Sequence, residues 1–168
     1  MKIIDNFLPQ EEFSKIKQEI FVDTFPWYFN KGILYETMND FSKDYQFTHA
    51  IWEEKEPRSP LFSLFNETIV KRLNIEFLKR LKLNLNPMTE THQFKDLFHV
   101  DQEGETSGKR KTAIFYLNTN NGYTLFEESK KVDCVENRIA IFDSNKRHTG
   151  VTTTDTQSKV VLNINWLE

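Results

Sequence analysis

The sequence predicts a mainly β domain with flanking helices (α+β), a jelly roll with its N-terminal helices packed on one sheet. Three observations point there. Apolar residues recur at helical spacing in the first half and at period two from about Leu81 onward. The alternating runs are short and separated by turn residues, of which Asn121-Gly122 is the strongest pair. Aromatic residues make up 14% of the chain, mostly as 15 Phe, and aromatic side chains fit pleated strands better than helices.

Element by element, Ile3 and Ile4 are β-branched and open the chain as a strand. Pro9 suits a first helical turn, and Phe13, Ile16, Ile20 and Phe21 then give one apolar helical face. Phe25-Pro26-Trp27-Tyr28-Phe29 is expected to be extended, because Pro26 biases its predecessor away from helix. Ser59 to Leu81 is expected to be a second helix, with Leu61, Leu64, Phe65, Ile69, Leu73 and Phe77 on its stripe. Leu81 to Asn86 alternates as a half-buried strand. Further strands are expected at Lys111 to Asn118, Tyr123 to Glu127, Val132 to Val135, Arg138 to Phe142 and Val160 to Trp166. Gln102 to Arg110 is polar, carries Gly104 and Gly108, and is expected to be a loop of the kind that covers substrates.

With 168 residues, residues 1–168 form one domain with a single core. The net charge of −3 gives no single-sign field for duplex nucleic acid or an anionic membrane. The one cysteine, Cys134, excludes an internal disulfide and fits a reducing, cytoplasmic setting. Its alternating surroundings suggest a packed thiol. No apolar run approaches the ~20 residues of a membrane span.

Four histidines are present: His49, His92, His99 and His148. A lone histidine is more often structural than a ligand. His99 has company, because Asp101 lies two residues on and an extended chain would put both side chains on one face. His148 follows 47 residues after Asp101, beyond strands that could fold back beside the pair. Two imidazoles and one carboxylate on one side of an ion form the facial triad of non-haem iron sites, which leaves the opposite face open. Lys159 lies eleven residues after His148 and opens a largely apolar strand. It is either solvated at the strand end or paired with an anion. Alternation groups Lys159 with Val161, Asn163 and Asn165 on one face and Val160, Leu162, Ile164 and Trp166 on the other.

Four segments together carry a resemblance: Asn-Gly-Tyr-Thr-Leu-Phe-Glu-Glu (121–128), Asn-Arg-Ile-Ala-Ile-Phe-Asp-Ser (137–144), His-Thr-Gly-Val-Thr (148–152) and Lys-Val-Val-Leu-Asn-Ile-Asn (159–165). With the opening Ile3-Ile4-Asp5-Asn6-Phe7-Leu8-Pro9 and Phe25-Pro26-Trp27-Tyr28, nearly the whole chain resembles the 2-oxoglutarate/Fe(II) oxygenase superfamily. It looks most like small prolyl-4-hydroxylase-like members carried by bacteriophages. The resemblance implies a cupin-like double-stranded β-helix. It implies Fe(II) on His99, Asp101 and His148, with 2-oxoglutarate and O₂ as co-substrates and ascorbate as a stimulant. It implies that Lys159 binds the 5-carboxylate of 2-oxoglutarate with help from Tyr116, whose alternative role is that of a core aromatic. Asn163, on the Lys159 face, is grouped with the 2-oxoglutarate-binding residues. Two positions depart from the pattern: many relatives have Tyr-Pro at Asn86-Pro87, and many have Arg at Lys159, where a lysine offers a point charge instead of a planar fork.

The resemblance leaves the substrate open. A prolyl or other amino-acid residue in a peptide or protein is the expectation, with a free small molecule or nucleobase as the alternative. Two rivals use other chemistry. A non-catalytic jelly-roll binding protein would tolerate loss of a ligand. A zinc hydrolase would need a positioned base and usually more carboxylates.

Overall fold

The computed structural model describes residues 1–32, 45–101 and 110–168. Among these, the chain begins with β1 (Lys2–Ile4), α1 (Gln10–Ile20), β2 (Tyr28–Asn30), β3 (Gln46–Glu53) and β4 (Glu56–Pro57). A short helix, α2 (Phe62–Phe65), runs into a π-helical turn at Asn66–Val70. Seven strands follow: β5 (Phe77–Pro87), β6 (Arg110–Tyr116), β7 (Tyr123–Phe126), β8 (Lys131–Asp133), β9 (Ile139–Asp143), β10 (His148–Val151) and β11 (Ser158–Leu167). The expected Gln102 to Arg110 loop, apart from Arg110 itself, lies outside the described residues.

The strands form a large antiparallel sheet in the order β1-β9-β6-β11-β5-β3-β2, with β4 beside β3, and a small sheet in the order β10-β7-β8. This is the jelly-roll arrangement that the sequence predicts. The helices cover one face of the large sheet, where Phe13, Ile16 and Ile20 of α1 join Phe65, Ile69, Leu81, Leu83, Leu162 and Ile164 in one core. Phe115 sits there edge-on to Phe7 and Phe13, both at 5.8 Å between ring centres. A smaller apolar cluster, including Ile114, Phe126, Phe142 and Val161, lies between the two sheets. Asn137 pins the N-terminal segment to this framework, accepting from the Leu8 amide at 2.9 Å and donating to the Leu8 carbonyl at 2.8 Å.

Two expectations are corrected. The second helix does not run from Ser59 to Leu81. It ends by Asn74, whose φ of 52° is outside the helical range, and β5 begins at Phe77. Antiparallel pairing of Phe77 through Pro87 with β11 overrides the helical spacing, which counted Phe77 although that side chain is 60% exposed. Asn121-Gly122 is not a tight hairpin turn. It links strands in different sheets, and neither residue has positive φ. The glycine is needed for close approach, since a Cβ there would stand 2.7 Å from Asn120 Oδ1 and 3.0 Å from the Val151 carbonyl. The segment Phe25 to Phe29 is extended at its end, in the edge strand β2, where Tyr28 and Phe29 stand exposed, whereas Phe25 and Trp27 pack against the helix-side core.

Candidate metal centre and co-substrate pocket

The inner face of the large sheet is polar where its outer face is apolar, and period-two alternation in two neighbouring strands is the cause. On β11, Lys159, Val161, Asn163 and Asn165 pair in register with Asn86, Asn84, Lys82 and Arg80 of β5. The alternate residues Val160, Leu162, Ile164 and Trp166 face the helices. The small sheet closes over this polar ladder, bringing His148 and Gly150 of β10 and Thr124 of β7 against it. The result is a pocket of about 480 Å³.

His99, Asp101 and His148 meet at this pocket. Their donor atoms all lie within 4.8 Å of one another. His99 Nε2 is 3.9 Å from Asp101 Oδ1, and His148 Nε2 is 3.7 Å from Asp101 Oδ2. His99 and His148 exchange backbone hydrogen bonds at 3.0 and 2.9 Å, which sets the two rings side by side. The His-x-Asp pair is therefore not on a regular strand. His99 makes an isolated bridge to His148 and Asp101 sits in a bend, yet both side chains reach the same point. Each ring directs Nδ1 at a carbonyl, His99 at Leu97 and His148 at Lys146, both at 3.0 Å. A carbonyl only accepts, so Nδ1 carries the proton and the Nε2 lone pairs face the shared centre.

Asp101 is held from behind. Asn163 Nδ2 donates to Oδ1 at 3.2 Å, Asn165 Nδ2 donates to Oδ2 at 3.3 Å, and an Arg80 guanidinium nitrogen lies 3.4 Å from Oδ1. Burial alone would raise this carboxyl, but attraction to His148, Arg80 and His99 and the Asn163 hydrogen bond together lower it to about 2. Burial, then the neighbouring His148, push His99 below the usual imidazole value. The centre thus offers an ionised carboxylate and, on His99, an imidazole biased towards its neutral, ligating form.

At the other end of the pocket, Lys159 is only 2% exposed. Its ammonium donates to the Tyr123 carbonyl at 2.9 Å and the Val151 carbonyl at 2.8 Å and meets no carboxylate among the described residues. Desolvation lowers it to about 8. Gly150 leaves the approach open, since a Cβ there would lie 3.4 Å from Nζ. Tyr116 is fully buried and lies behind the pocket wall: its hydroxyl donates to Thr124 Oγ1 at 2.7 Å, and Thr124 lines the pocket. Asn163 lies at the metal end, with its Oδ1 buried and without a hydrogen-bond partner among the described residues. The remaining histidines are structural. His49 bonds the Pro26 carbonyl and Ser59, and His92 bonds the Thr152 carbonyl.

Sequence reasoning missed the β5 side of the pocket and the whole of β3, which contributes Gln46 to it. The signal for β5 was present, because Arg80, Lys82, Asn84 and Asn86 alternate with Leu81, Leu83 and Leu85. That polar face reads as solvent-exposed until something is known to cover it.

No protein-family model matches the chain, and none of the curated proteins compared with it does. Solved structures do. The chain is similar to a prolyl hydroxylase from Trichoplax adhaerens, solved with a hypoxia inducible factor peptide fragment, at a TM-score of 0.66 and 16% identity, covering 99% of this chain and 82% of that one. It is similar to a 2OG-Fe(II) oxygenase family oxidoreductase from Burkholderia pseudomallei at a TM-score of 0.66 and 9% identity, over 98% and 84% of the two chains. A viral collagen prolyl hydroxylase from Paramecium Bursaria Chlorella virus-1, solved with 2OG, matches at a TM-score of 0.58 and 15% identity, over 99% and 94%. At these identities the likeness is one of fold: the chain has the double-stranded β-helix found in these oxygenases.

Proposed function

We propose that this protein is an Fe(II)- and 2-oxoglutarate-dependent dioxygenase that hydroxylates a C–H bond of an amino-acid residue, with prolyl residues of a peptide or protein as the first candidates. The observation that carries the reading is a single pocket with a facial His-Asp-His donor set at one end and, at the other, a buried ammonium with no carboxylate partner among the described residues. The donor set suits iron with open positions. The ammonium suits a carboxylate held away from the metal.

Bound together, Fe(II) and 2-oxoglutarate would let O₂ place one oxygen atom in succinate, with release of CO₂, and the other in the substrate C–H bond. The chain's own residues supply position and electrostatics. His99, Asp101 and His148 would hold the metal. With His148, Arg80 and Asn163 favour the ionised form of Asp101, and Asn163, Asn165 and Arg80 fix its direction. Lys159 would take the 5-carboxylate, beside a Thr124 hydroxyl oriented by Tyr116. Val161 and Ile114 give the pocket an apolar stretch for the co-substrate's methylenes.

The likeness to prolyl hydroxylases, one solved with a peptide fragment, supports an amino-acid substrate in a chain. So do the exposed aromatic rings Tyr28, Phe29 and Tyr45, because Tyr45 directly precedes pocket-lining Gln46 and rings of this kind can clamp an extended peptide.

Anaerobic addition of Fe(II) and 2-oxoglutarate is expected to give a metal-to-ligand charge-transfer band. Loss of the band in the His99→Ala/His148→Ala double variant supports the assignment, and an unchanged band refutes it. Proline-containing peptides should then release succinate and gain one oxygen by mass spectrometry. Succinate release driven by nucleosides or free metabolites alone would move the substrate class and leave the oxygenase chemistry standing. Metal-dependent hydrolysis without succinate would replace that chemistry with a hydrolase.

A further inference from the structure

Resting on the oxygenase reading, a second anionic group has a place in this pocket. Lys82 lines it from β5, directly across from Asn163 of β11. Asn163 touches Asp101, so Lys82 stands in the row of the metal centre. It is four residues along β5 from Asn86, the register partner of Lys159. At about 3.3 Å per residue the two rows are ~13 Å apart. One five-carbon diacid whose far carboxylate sits on Lys159 cannot place that same carboxylate on Lys82.

Among the described residues the Lys82 ammonium has no hydrogen-bond or ion-pair partner. Its neighbours explain its state: burial and then Arg80 lower it to about 8, partly opposed by Asp101 and Glu53. The pocket is also unbalanced as a whole. Doubly charged 2-oxoglutarate would cancel Fe(II). Among the described lining residues, Arg80, Lys82 and Lys159 then face one carboxylate, Asp101, since Arg147 is paired with Glu127 at 3.2 Å. A second, independent observation lies beside Lys82. The side-chain oxygens of Asn84 and Asn163 are both buried and both lack a donor among the described residues, and both residues line the pocket. A buried acceptor left unpaired is costly.

We infer that the primary substrate carries a carboxylate, bound by Lys82 with Arg80 beside it, and next to that carboxylate an N–H donor that satisfies Asn84 or Asn163. A fully ionised phosphate ester would answer the charge but bring no donor for the two acceptors. An amino-acid unit answers both. It has two sources: a free amino acid, or an acidic side chain or C-terminus of a peptide.

The test uses the full chain loaded with Zn(II) and N-oxalylglycine, an unreactive analogue of 2-oxoglutarate, so that binding is read without turnover. Thermal shift and calorimetry compare matched pairs: free amino acids with their amides, Asp- or Glu-containing peptides with their Asn or Gln counterparts, and inorganic phosphate as a control. The expected result is binding by carboxylate members with their amides at least tenfold weaker, and the better arm identifies the source. Lys82→Gln should lose that preference and Lys82→Arg should restore part of it. N-oxalylglycine affinity should change less than twofold in both variants. Removing a desolvated cation that has no partner among the described residues relieves strain in the free protein, so Lys82→Gln should melt no lower than the parent. Amides binding as well as acids, phosphate binding better than either, or no pair member binding at all overturns the inference. So does a Lys82→Gln variant that loses N-oxalylglycine instead, because Lys82 would then serve the co-substrate. Failure of N-oxalylglycine to bind the parent protein sinks the oxygenase reading itself and is seen separately.

Discussion

Replacing Lys159 with Met tests whether this buried cation exists for a ligand. Moving its ammonium from an ordinary 10.5 to about 8 corresponds to a folding penalty of about 3 kcal/mol. The native state gives up the proton more readily than the unfolded chain. The penalty is therefore complete below pH 8 and is relieved as pH rises from there towards 10.5. Met removes it. In return the Tyr123 and Val151 carbonyls lose a donor, at about 1–3 kcal/mol each if they stay unsatisfied. The two effects are of similar size, so the melting temperature of ligand-free Lys159→Met at pH 7 should stay within several degrees of the parent. Affinity for 2-oxoglutarate should behave differently. Losing one partner of a buried charge pair costs ~2–5 kcal/mol, or about 30-fold to several thousand-fold in Kd. Calorimetric titration of 2-oxoglutarate into the anaerobic Fe(II) protein measures it. In the parent, a bound carboxylate should restore the proton to Lys159, so binding near pH 9 should take up a proton, visible as a buffer-dependent heat. Binding by Lys159→Met within threefold of the parent would refute the assignment.

Two further changes test the pocket wall. Tyr116 reaches the pocket only through Thr124, so Thr124→Val should weaken 2-oxoglutarate at least as much as Tyr116→Phe, each by the ~0.5–1.5 kcal/mol of one neutral hydrogen bond. Titrations of the double variant should show the two effects to be less than additive, and full additivity would make Tyr116 a core aromatic only. Gly122→Ala should lower stability by about 1–3 kcal/mol through overpacking, because the new methyl meets Asn120 Oδ1 and the Val151 carbonyl. Urea unfolding measures this, and a neutral result would show that the strand link gives way freely.

What was legible in the sequence depended on how local the cause was. The β11 alternation assigned Lys159, Val161 and Asn163 to one face and Val160, Leu162 and Ile164 to the other because strand geometry is set residue by residue. The metal triad was legible for a different reason: three ligand types in order and spacing are a chemical pattern, and it survived although Asp101 proved to lie in a bend. The second helix failed because Phe77 fits a helical stripe and a strand equally well by composition, and only the partner strand decides. β3 carries no strong local signal, with Gln46, Thr48 and His49 among its residues, and its place between β2 and β5 is a long-range fact. Tyr116 was placed beside the co-substrate, yet the intervening Thr124 comes from another strand that no spacing within β6 reveals.

The large sheet separates two demands that usually conflict. Its helix-side face packs Leu81, Leu83, Val160, Leu162, Ile164 and Trp166 with almost no exposure. Its inner face holds two burial-lowered lysines and two amide oxygens without a partner among the described residues. The desolvated lysines and the unpaired amide oxygens work against folding, and none of them improves packing. The same strands carry both faces, so the apolar side offsets the cost of the polar one without sharing a single side chain with it. A site that concentrates unpaired polar groups on one face of an otherwise well-packed sheet is where sequence-level rules are expected to fail for functional reasons. The groups at Lys82, Asn84 and Asn163, unpaired among the described residues, are on the proposed reading parts of contacts completed when substrate is bound.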